Sequence, residues 1–89
     1  MADGMIESLA FLDVSQRLME LLLQIAKAEG EKDKSGFFRI KKLTHKELAA
    51  RIGASREAIS KVIKVLAFKD VVREEGDSFL ISPNADGGI

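Results

Sequence analysis

From Thr44 to Leu66 the chain reads Thr-His-Lys-Glu-Leu-Ala-Ala-Arg-Ile-Gly-Ala-Ser-Arg-Glu-Ala-Ile-Ser-Lys-Val-Ile-Lys-Val-Leu. Thr44 and Glu47 are spaced as a capping box, in which each side chain satisfies the other residue's orphan backbone N–H. Leu43 and Leu48 stand where a hydrophobic staple would fix the path of the chain into the helix. Leu48, Ala49 and Ile52 supply the buried face, Gly53 stops the helix where a left-handed residue is wanted, and Ser55 caps the next one. Only Gly53 and Ala54 separate the end of one helix from the cap of the next, so the corner is sharp. Two helices joined in this way are expected to form a helix-turn-helix, whose second helix fits the major groove of B-DNA.

The second helix, residues 55–68, divides cleanly on a wheel of 100° per residue. Ile59, Val62, Ile63 and Leu66 fall together and form the core face. Opposite them lie Glu57, Ser60, Lys61 and Lys64, with Arg56 beside them. These outward residues cluster in the N-terminal half, the part of a recognition helix that reaches base edges. Arg56 and Lys61 can donate to guanine O6 and N7, and Glu57 can accept from cytosine N4. Lys64, one turn further on, suits a phosphate, and Ser55 with the free N–H groups of the first turn suits another. Ser60 lies on the same face and is expected to contact the DNA backbone. Thr44, His45 and Lys46 open the preceding helix, where a helix-turn-helix crosses the sugar-phosphate backbone. The bland alternative is that Glu57 and Lys61 form an i,i+4 ion pair on a solvated face.

Working outward, residues 8–29 read as a long helix with Val14, Leu18, Leu21, Leu22 and Ile25 on one stripe. Leu12, Met19, Leu23 and Ala26 form a second stripe, so this helix is either central to the core or faces something further. Gly30 stops it, and residues 30–36 read as a polar surface loop. In residues 37–43, Phe38 and Ile40 fall on one side and Arg39 and Lys41 on the other, as in a half-buried strand. Beyond the second helix, Asp70 takes the terminating position. Residues 71–74 and 78–82 then form a hairpin around Glu75, Gly76 and Asp77. Pro83 ends that strand. The expected architecture is α+β: a winged helix-turn-helix of three helices with a small antiparallel sheet. Residues 8–82 make the domain, between a disordered segment or linker remnant at 1–7 and a disordered tail at 83–89.

A chain of 89 residues has room for one core. With 46% hydrophobic and 31% charged residues it is globular in composition, not disordered. The formal net charge is zero, but it is unevenly spread. Residues 1–36 carry seven acids and four Lys/Arg, residues 37–69 two acids and nine Lys/Arg, and residues 70–89 five acids and one Arg. The helix-turn-helix segment alone has a balance of +7, the electrostatic footprint of a nucleic-acid surface. No apolar run suggests a membrane span or a signal peptide, so a cytoplasmic protein is expected. With no cysteine and a single histidine, no metal site is expected, and there is no Gly-rich phosphate loop. His45 and Ser60 have no catalytic partners at local spacing, so neither an enzyme nor a cofactor is expected. A winged helix serving protein contact is the alternative to DNA reading, and a small hydrolase a weaker third.

These residues resemble the C-terminal DNA-binding domain of the Crp/Fnr family of bacterial transcription regulators. Residues 9–14 look like the family segment that joins a dimerisation helix to the DNA-binding domain. Leu43-Thr44 with Glu47, then Ile52-Gly53-Ala54-Ser55-Arg56-Glu57 and Lys61, look like its helix-turn-helix signature. The resemblance implies base contacts by Arg56, Glu57 and Lys61, and a homodimeric parent in which each copy reads one half-site. It also implies an N-terminal effector domain, which the eight residues before Leu9 do not hold. The chain is therefore expected to be a C-terminal domain alone, monomeric in isolation. RNA polymerase is a further implied partner at residues 30–36, although that loop's own sequence carries no specific signal for it. Three positions depart from the family pattern: Lys61 stands where Arg is usual, the wing is acidic at Glu74, Glu75 and Asp77, and Phe68 replaces a usually polar residue.

Overall fold

Val14, Leu18, Leu22 and Ala26, each one helical turn after the last, are all buried and set how the first helix lies on the rest of the chain. The structure, a computed structural model, describes the backbone of residues 2–83 and the side chains of residues 10–83. In chain order the elements are α1 (Ala2–Glu29), β1 (Glu31–Lys32), β2 (Phe38–Lys41), α2 (His45–Ile52), α3 (Arg56–Phe68), β3 (Val72–Glu75) and β4 (Ser78–Ile81). α1 packs against α2, α3 and β2, and the sheet closes the core from the other side. Three helices and a four-stranded antiparallel sheet, in the order β1-β2-β4-β3, make an α+β winged helix-turn-helix.

α1 differs from the sequence expectation in extent and in phase. It begins at Ala2, so residues 2–7 continue the helix instead of forming a linker. Its core face combines members of both expected stripes, because Met19 and Ala26 are buried while Leu21 and Ile25 are only half-buried. Leu12, assigned to the second stripe, is 59% exposed. Asp13, Gln16, Arg17, Glu20, Gln24 and Lys27 are exposed on the opposite face, and the buried line is the middle of the apolar arc across from them. Arg17 then ties α1 to the corner of the helix-turn-helix: its Nη1 donates to the Ile52 carbonyl at 2.6 Å, while Nη2 pairs with Asp13 at 3.0 Å.

The expected polar loop at 30–36 contains a strand. Glu31 and Lys32 pair with Arg39 and Phe38, although both are exposed and show no alternation. Asp33 makes the hairpin: its Oδ1 accepts from the backbone N–H groups of Ser35 and Phe37 and from the Ser35 hydroxyl. Those bonds hold the Asp33 carboxyl below its usual value, that of the Ser35 hydroxyl being the largest influence. At the wing, Glu75 pairs directly with Ser78, so the turn holds two residues, Gly76 and Asp77, not three. Gly76 has φ of 60° and Asp77 a negative φ, the pattern of a type II′ hairpin turn.

Register fixes the two faces of the sheet. Phe38, Ile40, Val72, Glu74, Phe79 and Ile81 share the inner face; Arg39, Lys41, Arg73, Glu75, Ser78 and Leu80 share the outer one. Leu80 is nonetheless buried. Arg39 and Arg73 lie directly opposite it on either side, and the stems of such side chains cover apolar surface. Arg73 is held there by a two-pronged bond to Asp70 (2.7 and 2.9 Å) and lies 4.6 Å from the Phe37 ring centroid. That bond lowers the Asp70 carboxyl below its usual value. The tail at 84–89 lies outside the described residues.

Candidate nucleic-acid interface

The local chemistry of the corner is that expected from sequence. Thr44 Oγ1 accepts from the Glu47 N–H at 3.0 Å, and Glu47 Oε1 accepts from the Thr44 N–H at 3.1 Å. The backbone N–H of Thr44 is the main reason the Glu47 carboxyl lies below its usual value. Gly53 is left-handed (φ 71°, ψ 38°) and returns its N–H to the Ala49 carbonyl. Ser55 accepts from the Ala58 N–H at 3.1 Å and starts α3. At the far end, Val71 donates to Leu66 and Asp70 to Ala67, with Asp70 at φ of 62°, which is a Schellman stop. Both capping hydroxyls act as acceptors, so each keeps its proton to donate outward.

α3 presents two opposed faces. Ile59, Val62, Ile63 and Leu66 are buried, and each such side chain contributes about 1.5–3 kcal/mol by leaving water. Arg56, Glu57, Lys61 and Lys64 are exposed on the other side. Among the described residues, the ion pairs involve none of these four. The Glu57–Lys61 pair that would make this face an ordinary solvated one is therefore not formed. Lys46 is likewise exposed and outside the ion pairs. The outward face thus offers four cationic groups and one carboxylate to whatever approaches it.

His45 and Ser60 are arranged differently from the expectation of two independent phosphate contacts. His45 Nδ1 lies 2.8 Å from Ser60 Oγ, and Nε2 lies 3.3 Å from Glu74 Oε1 on the wing. Lys42 Nζ donates to the other carboxylate oxygen, Glu74 Oε2, at 3.1 Å. The sequence reading left His45 and Ser60 without partners because the links span 15 and 29 residues. It missed Lys42 altogether. Ser, His and Glu in a row suggest a hydrolytic triad, but the backbone argues otherwise. Ser60 lies in the second turn of α3, where N–H groups are already bonded within the helix and cannot form an oxyanion hole. Its hydroxyl also bonds the Arg56 carbonyl at 3.1 Å. The cluster is a clamp joining α2, α3 and the wing.

Fold and site together define a winged helix-turn-helix with a free, largely cationic outer helix face. The family model for the Crp-like helix-turn-helix domain matches residues 16–86, and the chain belongs to that family. It is 38% identical over 74 residues to the CRP-like cAMP-activated global transcriptional regulator of Mycobacterium tuberculosis, covering 83% of this chain and 33% of that protein. It is 29% identical over 76 residues to the cAMP-activated global transcriptional regulator CRP of Haemophilus influenzae, covering 85% and 34%. The chain thus spans about a third of the length of these relatives. Among solved structures, the reduced Fe(II) CO-sensing protein from R. rubrum superposes with a TM-score of 0.78 at 20% identity, covering 99% of this chain and 41% of that one. A CRP/FNR-family transcriptional regulator from Thermus thermophilus gives 0.67 at 25% identity, covering 98% and 47%.

Proposed function

We propose that this chain is the duplex-DNA-reading domain of a bacterial transcription regulator, with α3 in the major groove. The observation that carries the reading is the unpaired outer face of α3, set directly opposite its buried face. Arg56, Glu57 and Lys61 read base edges; Thr44, Lys46, Ser55 and Lys64 hold phosphates. His45 and Ser60 are further backbone contacts. Lys61 lacks the planar fork of the Arg usual in the family, so it discriminates guanine less sharply. The resemblance supports a dimeric parent that reads two half-sites about one helical turn apart, with the isolated domain monomeric and weak in binding. By the same route RNA polymerase is a partner at the β1–β2 hairpin, the setting is the cytoplasm, and no catalysis is involved. Among the described residues no helix is long and apolar enough to cross a membrane.

A competition series with palindromic and scrambled duplexes tests this reading. Lys61→Ala should relax preference at one base position by roughly 1–3 kcal/mol, whereas Lys64→Ala should weaken all sequences alike and reduce the salt slope. Equal, sequence-blind losses from both would demote Lys61 to a phosphate contact. Palindromic and scrambled duplexes bound equally at every salt concentration would refute sequence reading.

A further inference from the structure

Glu74 stands on the inner face of the sheet, an unusual place for a carboxylate. Alternation from the fully buried Val72 puts it there, and its register partner Phe79 is also fully buried. The side chain reaches across to Lys42 and His45, one oxygen to each, at 3.1 and 3.3 Å. All three side chains are about one-third exposed (Lys42 35%, Glu74 33%, His45 31%), so water screens their attraction less than that of a surface pair. Burial pushes the Glu74 carboxyl up, but the bonds from Lys42 and His45 outweigh it and hold the group below its usual value. An ammonium and an imidazole, gathered at the first turn of a helix and closing on two oxygens of one anion, form a donor set suited to a phosphate diester. That first turn belongs to α2, the helix that crosses the sugar-phosphate backbone in a helix-turn-helix.

We propose that Lys42 and His45 form a site for a DNA backbone phosphate, and that Glu74 fills it in the free protein as an internal stand-in that duplex DNA must displace. The inference rests on the DNA reading of α3. The cost of displacing Glu74 is the same for every duplex that uses the site, so Glu74 lowers affinity for specific and scrambled duplexes alike. Glu75, next in the chain but on the outer face, pairs with Arg39 at 3.4 Å and does not share this role.

The test uses fluorescence anisotropy of the whole chain with a labelled scrambled duplex of about 30 base pairs, titrated across a salt series. Glu74→Gln should bind about tenfold tighter at low salt, and its log–log salt slope should steepen by roughly 0.9 for each phosphate gained. Glu75→Gln removes the same charge from the other face and should change affinity by about twofold or less. Lys42→Ala should lose more affinity in the Glu74→Gln background than in the wild type, where the ammonium is already occupied. Unchanged or weaker binding by Glu74→Gln, or an equal gain from Glu75→Gln, overturns the proposal. An NMR titration of the wild type needs no variant: the Glu74 carboxyl and the Lys42 ammonium must both shift on adding duplex, and a Lys42–Glu74 contact that persists in the complex overturns it as well. Failure of the wild type to bind any duplex in a salt-dependent way would instead refute the DNA reading itself.

Discussion

Replacing Gly53 by alanine isolates a single backbone conformation at the corner of the helix-turn-helix. Gly53 sits at φ 71°, ψ 38°, and a Cβ built there meets nothing within 4 Å. Packing therefore drops out, and the cost is that of a Cβ against its own peptide in left-handed geometry, roughly 1–2 kcal/mol. Alanine also narrows the unfolded ensemble, which offsets about 0.4–1 kcal/mol of that. The net loss should be about 1 kcal/mol, which for a domain of this size lowers Tm by about 4–8 °C. Urea unfolding followed by circular dichroism measures it, with an unchanged m-value expected because the folded structure keeps its surface. Gly53→Asn should lose about half as much, since Asn tolerates the left-handed region. Gly30→Ala provides the contrast: its Cβ would lie 2.5 Å from the Ala26 carbonyl oxygen, so the backbone must move and asparagine gives no relief. Equal losses from Gly53→Ala and Gly53→Asn, or a loss above about 3 kcal/mol from either, would show that the corner is held by something other than the dihedral angle.

Other substitutions probe the remaining interactions. Thr44→Ala removes the side-chain acceptor of the capping box and should cost about 1 kcal/mol, whereas Glu47→Gln keeps an amide oxygen for the Thr44 N–H and should cost less; equal losses in urea melts would deny the box its reciprocal form. Acid should destabilise the domain. Asp33, Glu47, Asp70 and Glu74 are all held below their usual values when folded, so the unfolded chain binds more protons in the window between. Stability is then complete above about pH 4.5 and falls as pH drops through the depressed values. Urea midpoints that stay flat between about pH 5 and pH 2 would contradict it. Phe68, 91% exposed, should tolerate serine within about 0.5 kcal/mol, and a larger loss on thermal melting would mean the ring packs against something in solution.

Features that depend on neighbours in sequence were legible without a structure. The Thr44–Glu47 box, the Gly53 corner, the Ser55 cap, the Asp70 stop and the buried face of α3 all follow from spacings of seven residues or fewer. β1 was not legible, because two exposed residues give no alternation and the Asp33 side chain makes their hairpin. The rotation of α1 differs from the expectation because that expectation divides the apolar arc into two stripes, whereas the middle of the arc, opposite the polar stripe Asp13, Arg17, Glu20, Gln24 and Lys27, is what is buried. The clamp depends on strand register, where a shift of one residue sends a side chain to the opposite face. Reading the wing turn as Glu75-Gly76-Asp77 left all the acids together on its surface. The two-residue turn puts Glu74 inside and Glu75 outside. Lys42 gained its significance only from that assignment.

The sheet is open, and both of its borders are guarded. β1 offers only two residues to a further strand, and β3 presents Arg73, Glu74 and Glu75 in succession along the other border. Short, charged border strands resist pairing with a second molecule, which is how open sheets escape edge-to-edge aggregation. The wing carboxylates therefore also guard this border against edge-to-edge pairing. Neutralising both Glu74 and Glu75 in pursuit of tighter binding would leave Val72, Arg73 and two glutamines along that border, a strand far better suited to recruiting its own kind.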